Sequence, residues 1–348
     1  MLLYISLPMT PTRAREITGR YSTLTLVVAG DFCLDRYFEI DPALAELSIE
    51  TGLPVHQVRR VRCLAGAAGT IVNNLAALGV GEIRCVGLTG DDGEGWALRR
   101  ALSRLPGVSL AGMLTHPERQ TFTYSKPLII RAGGPPEELS RLDQKNFTTV
   151  SSEWSERMGR ALREALPGAG ATMMLEQVEL ADVGVISQSW FTPDSPVRRQ
   201  LESCLVLADS RRGLQGWPAV TFKMNAAELG RLTGAPAGSL AEVKDVQQTA
   251  VRLAAANGRR VFVTLAERGI VTAGPRDAPC HVPALPVRGP IDVVGAGDAV
   301  SANLLAALAA GATASEAMAL AMIAANLVVH QLGTTGVATV PDLLQALG

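Results

Sequence analysis

The sequence has 348 residues, of which 47% are hydrophobic, and its 32 Lys and Arg residues balance 33 Asp and Glu residues to a formal net charge of −1. A chain of this length and composition can bury a sizeable core in one large or two ordinary domains, which excludes a disordered protein. The balanced charge gives no support for a partner that is a nucleic acid or a membrane surface.

The cysteines and the apolar segments indicate a cytoplasmic protein. The five cysteines are scattered without CxxC spacing, which is typical of free thiols rather than of a disulfide framework. The apolar N-terminus has no basic stretch before it and ends at Pro8, so we interpret residues 1–21 as an N-terminal extension and not as a signal peptide. The alanine-rich segments 301–312 and 317–332 predict buried helices rather than membrane spans.

Strand-like apolar runs alternate with helical patterns from residue 24 onward. Strands are predicted at 24–30, 83–89, 183–187, 204–208, 220–224 and 261–265. Helices are predicted at 70–79, 95–105, 155–166, 196–203 and 240–256, and further helices end the chain. The alternation predicts an α/β fold in which helices cover both faces of a mostly parallel sheet.

Two segments, 32–61 and 121–141, do not fit this alternation, because they look extended and carry Pro, Gly and charge. We expect a small projecting β layer, formed by lid segments 32–65 and 117–143 that are inserted in a single domain over residues 22–348. A layer at the carboxyl ends of the strands would cover a ligand site. Exposed edges of such a lid invite pairing with a second copy of the chain, as a homodimer. The alternative is two long surface loops.

The strongest local signal is DVVGAGD at 292–298, which precedes an alanine-rich helix. A tight turn at a helix N-terminus can direct the N–H groups of Ala296, Gly297 and Asp298 into one small space, which makes an anion site. The Asp298 carboxylate adds a base. Phosphoryl transfer to a hydroxyl needs those two parts. In isolation, the motif has an alternative interpretation as a strand-to-helix turn with Asp298 as the N-cap.

Four more motifs accompany this one. They are GAAGT at 66–70, GLTGDD at 87–92, NAAE at 225–228 and VTLAERG at 263–269. Together the five motifs resemble those of the ribokinase-like, or PfkB-type, carbohydrate kinases, in the family's order over roughly residues 24–340. The opening GDFCLDRY at 30–37 and the RLD at 141–143 are similar to the heptose-phosphate kinase branch.

The resemblance implies a ribokinase-like fold and an ATP-dependent kinase that phosphorylates a hydroxyl of a sugar or sugar phosphate. It implies that Asp298 is the catalytic base and that the amides of Gly295, Ala296 and Gly297 stabilise the transferring phosphoryl group. It places the sugar against Asp35, Gly66, Thr70 and Arg141. It places ATP against Lys223, Asn225, Glu228, Thr264, Glu267 and Gly269, and Mg²⁺ against Asn225, Glu228 and Asp292.

The sequence departs from the family's pattern at several positions. Thr70 stands where the family has a sugar-binding asparagine, and Ala67 and Ala266 each replace a glycine. Val293 replaces a threonine, a loss that weakens a monovalent-cation site. Asp31 is expected to be a structural turn residue. Candidates for binding a substrate phosphate are Arg119, Arg141, Arg211 and Arg212.

The same residues leave other functions open. One alternative is a kinase for another acceptor, such as a nucleoside, a fructose phosphate or a pentose. Another is a catalytically silent sugar or nucleotide sensor on the same fold. A Rossmann dehydrogenase lacks support, because no GxGxxG follows the first strand. Asn225 and Glu228 can also be interpreted as a helix cap followed by a solvated glutamate.

Overall fold

A computed structural model describes residues 7–131, 133–134, 136–236 and 238–348. The strands are β1 Thr25–Gly30, β2 Phe32–Ile40, β3 Glu46–Leu47, β4 Pro54–Val55, β5 Val58–Ala67, β6 Glu82–Gly90, β7 Val108–His116, β8 Thr123–Ile129, β9 Glu137–Glu138, β10 Leu142–Gln144, β11 Ala171–Glu176, β12 Val206–Ser210, β13 Thr221–Asn225, β14 Val261–Thr264, β15 Ile270–Ala273 and β16 Cys280–Val282. The helices are α1 Pro11–Thr18, α2 Ala68–Ala77, α3 Gly93–Ser103, α4 Ser152–Ala165, α5 Pro196–Glu202, α6 Ala226–Thr233, α7 Val243–Asn257, α8 Ala296–Ala309, α9 Ala314–Val329 and α10 Val340–Ala346.

The main sheet has nine strands in the order β16-β15-β14-β13-β12-β11-β1-β6-β7. The seven strands from β14 to β7 pair in parallel, and β15 and β16 continue the sheet in antiparallel pairing. Buried residues of α2, α8 and α9 form one apolar cluster, and those of α4, α5, α6 and α7 form another. The expected α/β fold, with helices on both faces of a mostly parallel sheet, is confirmed.

The lid segments supply a second sheet in the order β10-β8-β2-β5, with β9 on β8. A single residue, Asp31, separates the end of β1 from the start of β2, so the lid sheet continues directly from the carboxyl edge of the main sheet. The strand β2 pairs antiparallel with β5 and in parallel with β8, and Asp35 lies opposite Tyr124 in that parallel register. This arrangement brings the lid sheet to the edge where β1, β11, β12 and β13 end.

One predicted strand is wrong. Residues 183–187 are irregular, while the strand beside β1 is β11, Ala171–Glu176. The irregular segment is held by the buried carboxylate of Asp31, which accepts hydrogen bonds from the amides of Gln177, Val178 and Val185 at 2.8, 2.9 and 2.7 Å. Backbone that bonds to a carboxylate does not need a strand partner. Asp31 therefore has the structural role that the sequence indicates.

The remaining expectations about the chain concern thiols and membranes. All five cysteines are free thiols. The alanine-rich segments form α8 and α9, which pack closely on each other inside the protein. Over the described residues, we find no helix with both the length and the apolar character needed to cross a membrane.

Candidate active site

The N-terminus of α8 forms the floor of the candidate site. Gly295 is the N-cap, with φ +84°, and no side chain caps the helix. Asp298 is therefore not the N-cap, and that alternative is wrong. The amide of Ala296 donates to the carbonyl of Val293 at 3.2 Å, whereas the amides of Gly297 and Asp298 have no acceptor among the described residues. Two of the three expected N–H groups, those of Gly297 and Asp298, are thus available to an anion.

The carboxylate of Asp298 accepts no hydrogen bond from the described residues and lies among charged groups. Burial raises the pKa of Asp298 to about 7, and the carboxylates of Asp209 and Asp35 act in the same direction. The cations Lys223 and Arg211 oppose this rise. A carboxylate that titrates near neutral pH in a cleft is suited to accept a proton in a reaction.

A buried ion pair lies beside Asp298. Lys223 Nζ lies 2.6 Å from Asp209 Oδ2, and the two residues lie on the neighbouring strands β13 and β12. A Cβ atom built on Gly297 would lie 3.8 Å from the same Nζ, so the ammonium is next to the first turn of α8. Burial would lower the pKa of Lys223, but Asp209 outweighs it and the pKa is raised. The lysine is therefore charged at neutral pH. Our sequence reasoning missed Asp209, whose signal is a carboxylate at the end of an apolar strand.

A second buried ion pair lies in the lid sheet. Lys126 Nζ lies 3.1 Å from Asp35 Oδ1 and 3.3 Å from the hydroxyl of Tyr37. Gly66 faces the same carboxylate, because a Cβ at this position would lie 2.7 Å from Asp35 Oδ2. The absence of a side chain at Gly66 thus makes room for Asp35. The structure brings Asp35 and Gly66 together, and the charge of Asp35 reaches Asp298.

The four candidate arginines differ in their partners. Arg119 donates to the carbonyls of Thr148 and Val183 at 2.9 and 2.7 Å. Arg212 Nε lies 3.6 Å from Glu176 Oε1. Both therefore serve the protein's own structure. Arg211 is exposed and makes no side-chain hydrogen bond or ion pair with a described residue. Its positive charge nevertheless acts to lower the pKa of Asp298 and of Tyr124.

Arg141 lies in the lid sheet, outside the immediate surroundings of Asp298. Its guanidinium makes two hydrogen bonds to Asp143, at 2.7 and 2.9 Å, and lies 4.9 Å from the ring centroid of Tyr124. Because Tyr124 is the register partner of Asp35, Arg141 is near the expected acceptor site. Its charge is already paired with Asp143, so Arg211 is the better placed cation.

Thr70 does not face the cleft. It is buried in the first turn of α2, and its hydroxyl lies 3.5 Å from the carbonyl of Ala65. The expectation that Thr70 contacts the sugar stays a prediction; in this structure its hydroxyl is directed to the protein backbone. The asparagine that the family has at this position is longer, and threonine does not replace its reach.

Asn225 and Glu228 form a capping box at the start of α6. Asn225 Oδ1 accepts from the Glu228 amide at 2.9 Å, and Glu228 Oε2 accepts from the Asn225 amide at 2.8 Å. The helix-cap interpretation therefore describes their contacts in this structure. One carboxylate oxygen of Glu228 stays outside the cap, and the charge of Glu228 contributes to the raised pKa of Lys223.

Asp292 makes its hydrogen bonds away from Asn225 and Glu228. Its Oδ1 accepts from the amide of Val294 at 3.0 Å, and its Oδ2 accepts from the amide of Gly333 at 3.3 Å. Gly333 in turn accepts a hydrogen bond from the lid residue Arg62 at 3.3 Å. Within the described parts of the chain, no three His, Cys, Asp or Glu side chains are grouped as a metal site would require. The expectation that Asp292 binds Mg²⁺ together with Asn225 and Glu228 stays a prediction; here both carboxylate oxygens of Asp292 accept hydrogen bonds from backbone amides.

The 263–269 motif forms the end of β14 and a 3₁₀ turn, Ala266–Arg268. The hydroxyl of Thr264 lies 3.4 Å from the carbonyl of Met224, and Glu267 is exposed. Gly269 has φ +97°, and a Cβ there would lie 2.1 Å from the carbonyl oxygen of Val282, so only glycine fits. The turn lies at the same edge of the sheet as Asn225, which is the register partner of Thr264.

The two alanines that stand where the family has glycine have strained backbone conformations. Ala67 has φ +52° and ψ −120°, and Ala266 has φ +52°. L-residues rarely adopt these conformations, whereas glycine does so without a steric cost. The structure thus keeps the backbone of the glycine-containing loops although the glycines themselves are absent.

The comparisons with known proteins concern the family and the fold of this chain. Residues 211–341 match the pfkB family carbohydrate kinases. The resemblance to this family is confirmed. A curated relative, the Bifunctional protein HldE of Azorhizobium caulinodans, is 30% identical over 92% of this chain and 64% of its own length, and that of Caulobacter sp. is 31% identical over 92% and 62%. The chain therefore spans slightly less than two thirds of these relatives.

Solved structures identify the fold. Arabidopsis thaliana ribokinase complexed with ribose and ATP is 20% identical, with a TM-score of 0.67 over 93% of this chain and 98% of that protein. Escherichia coli phosphofructokinase-2 in complex with potassium is 16% identical, with a TM-score of 0.69 over 93% and 98%. The expected ribokinase-like fold is confirmed.

Proposed function

We propose that the chain is an ATP-dependent kinase that transfers the γ-phosphoryl group to a hydroxyl of a sugar or sugar phosphate. The observation that carries the proposal is the position of Asp298. Its carboxylate lies in the first turn of α8, is not hydrogen-bonded to any described residue, and is close enough to both Lys223 and Asp35 for their charges to affect it. The motif match over residues 211–341 supports the same reaction class.

The residues at the α8 N-terminus have complementary roles in this reaction. Asp298 accepts the proton of the attacking hydroxyl, and its pKa of about 7 is matched to that task at neutral pH. The amides of Gly297 and Asp298, with the Lys223 ammonium, stabilise negative charge on the transferring phosphoryl group. The lid sheet excludes water from the reacting atoms.

ATP is proposed to lie along the carboxyl edge of the main sheet, against Lys223, Thr264, Glu267 and Gly269. Asn225 and Glu228 fit a hydrated Mg²⁺, which keeps several waters and needs few direct carboxylates, because Glu228 retains an oxygen outside the capping box. When bound, the ion offsets phosphate charge. For a monovalent cation we propose the loop of Asp292, Gly333 and Thr335, where the buried Thr335 hydroxyl has no hydrogen-bond partner among the described residues.

The acceptor is proposed to lie under the lid between Asp35 and Asp298. Arg211 supports a phosphorylated acceptor, because it is the exposed cation near Asp298 and is not paired with a described side chain. A guanidinium binds phosphate with two parallel hydrogen bonds. The GDFCLDRY and RLD similarities favour a heptose phosphate within this class.

An acceptor screen tests the proposal. Purified protein is incubated with ATP and Mg²⁺ and with heptose, hexose and pentose phosphates, the matching neutral sugars, and nucleosides, and ADP formation is measured. We expect acceptor-dependent turnover that is highest with a sugar phosphate. Preference for a nucleoside would support a kinase of another class. Tight binding of sugar or ATP with no turnover on any acceptor would support the sensor, for which the buried Thr70 and strained Ala67 are the favouring observations.

We also propose that residues 22–348 form one kinase domain, that 32–65 and 117–143 act as its lid, and that the reaction takes place in the cytoplasm. A lid-mediated homodimer is supported by apolar side chains on the lid surface, since Leu47 is 66% and Leu53 is 65% exposed. Single apolar residues are common on surfaces, but several close together favour a partner. A monomeric mass across micromolar concentrations would refute the dimer.

A further inference from the structure

Lys126 is a buried lysine of the lid strand β8 that lies outside all five motifs. Its register partner across the parallel β2–β8 pairing is Tyr37, and Asp35 lies two residues before Tyr37 on the same face of β2. A buried lysine is rare unless its charge is paired, so its position beside the proposed acceptor site calls for a reason.

The Lys126 ammonium has three N–H donors, and the described residues provide two acceptors. These are Asp35 Oδ1 at 3.1 Å and the Tyr37 hydroxyl at 3.3 Å. The ammonium also lies 4.9 Å from the centroid of the Tyr37 ring, whose other cationic neighbour is Arg62 at 4.6 Å. The ring and the carboxylate thus hold Lys126 from two directions, and one donor remains for a ligand.

Asp35 is oriented by the same contact. Its Oδ1 is engaged by Lys126, while its Oδ2 faces the open Cα of Gly66 and accepts no hydrogen bond from a described residue. The Lys126 ammonium therefore has a free donor next to a carboxylate that has a free acceptor oxygen. Two neighbouring hydroxyls of a sugar match this pair, because one can accept from the ammonium while the other donates to the carboxylate.

The family resemblance already places the sugar against Asp35; we propose that Lys126 fixes the orientation of this carboxylate and adds a donor of its own, so that the pair discriminates in favour of acceptors with two adjacent free hydroxyls. This inference rests on the proposed sugar kinase activity and assigns part of its substrate specificity. The ion pair has no net charge, so it suits a neutral diol and leaves the recognition of an anionic group to Arg211. The competing explanation is that Lys126 only stabilises the lid sheet.

The test compares Lys126→Met, which keeps the aliphatic stem, with Lys126→Arg, which keeps the charge. The control is Lys244→Met, which removes an exposed lysine in the first turn of α7. Each protein is assayed with the best acceptor from the screen and with its monodeoxy analogues, each of which lacks one hydroxyl. KM and kcat are measured for acceptor and for ATP, with melting temperature on the same preparation.

Loss of a hydrogen bond to a charged group predicts that Lys126→Met raises acceptor KM about ten- to a hundredfold. We expect the KM for ATP to change less than about twofold and the wild-type discrimination against one deoxy analogue to collapse. The Lys244→Met protein should keep the wild-type pattern. Equal losses on every acceptor, with discrimination retained, would show that Lys126 is only structural and overturn the inference.

If Lys126→Met does not fold, the Lys126→Arg protein tests the inference instead. Arginine keeps the ion pair but moves the donors, so the preference among the monodeoxy analogues should change, and an unchanged preference would overturn the inference. The kinase proposal stands apart from these outcomes, because it requires only that the wild-type protein phosphorylates a sugar. If the wild type phosphorylates no sugar at all, both are refuted.

Discussion

Lys223 Nζ lies 2.6 Å from Oδ2 of Asp209 in a largely buried pair between the neighbouring parallel strands β13 and β12. This pair provides the α8 N-terminus with a charged lysine that does not neutralise Asp298 directly. On the other side of the proposed acceptor, Lys126 and Asp35 form a comparable pair. Two lysines are thus matched by two carboxylates, and Asp298 and Arg211 remain as the charges that the reaction can use.

The first prediction concerns Asp298→Asn. Asparagine keeps the size of the side chain but cannot take a proton from the substrate, so kcat should fall by about a hundred- to ten-thousandfold. Nucleotide affinity should hold within a few-fold or increase, because a negative charge near the phosphates is removed. The measurements are kcat, ATP affinity and melting temperature on one preparation. Near-normal turnover in a well-folded variant would refute the proposed mechanism.

The pH dependence follows from the same group. Asp298 acts as a base only when ionised, so kcat/KM of the wild type should rise with pH through its pKa of about 7 and then level off. A pH–rate profile that is flat between pH 5.5 and pH 8.5, values set about that pKa, would contradict this role.

The stability of the folded protein should fall as the pH rises, in contrast to kcat/KM. The folded-state pKa of about 7 lies above the reference value of 3.8, so the folded state binds more protons between these values and loses stability as the pH rises. Asp298→Asn resembles the protonated form and should therefore raise the melting temperature, by more at about pH 8 than at about pH 5. Thermal unfolding at both values checks the sign, and a larger gain at the lower pH would contradict it.

Arg211→Ala should raise KM for a phosphosugar by about tenfold or more, since a hydrogen bond to a charged group is lost, and should leave KM for the neutral sugar nearly unchanged. Arg141→Ala is the matched comparison, because Arg141 is already paired with Asp143. We expect its effect on the phosphosugar to be smaller. Equal effects of the two variants on both sugars would argue against a specific phosphate contact at Arg211.

Ala67→Gly should stabilise the protein. Relief of the strained φ and ψ gains about 1–3 kcal/mol, and the extra freedom of glycine in the unfolded chain costs about 0.5–1 kcal/mol. The control is Ala256→Gly in α7, which has no such strain and should lose about 1 kcal/mol. Denaturant unfolding measures both. A loss of stability in the Ala67 variant would mean that its Cβ contacts matter more than the backbone.

Much of the fold was predictable because strand–helix alternation and glycine turns are local signals. The strand prediction at 183–187 failed for a long-range reason. Its backbone bonds to Asp31, which is more than 150 positions earlier in the chain. The run at 171–176 becomes a strand through pairing with β1 and β12.

The candidate site was also predictable only in part from the sequence. The motifs located Asp298, Asp35 and Gly66 at the carboxyl edge, because strand ends and helix starts can be recognised in sequence. They did not reveal Asp209 or Lys126, whose importance comes from cross-strand neighbours. For Thr70, sequence position fixes its place on the helix and leaves open whether its hydroxyl is directed to protein, as in this structure, or to the cleft.

The hydrogen bond from Arg62 to the carbonyl of Gly333 joins the lid to the segment whose amide holds Asp292. If segments 32–65 and 117–143 act as the proposed lid, outward movement would break this bond, which also tethers the loop that begins the anion site. Lid opening would then be coupled to the shape of the phosphate-binding loop. An acceptor that keeps the lid closed would then increase the affinity for ATP. Hydrolysis of ATP by water in the absence of acceptor would be suppressed.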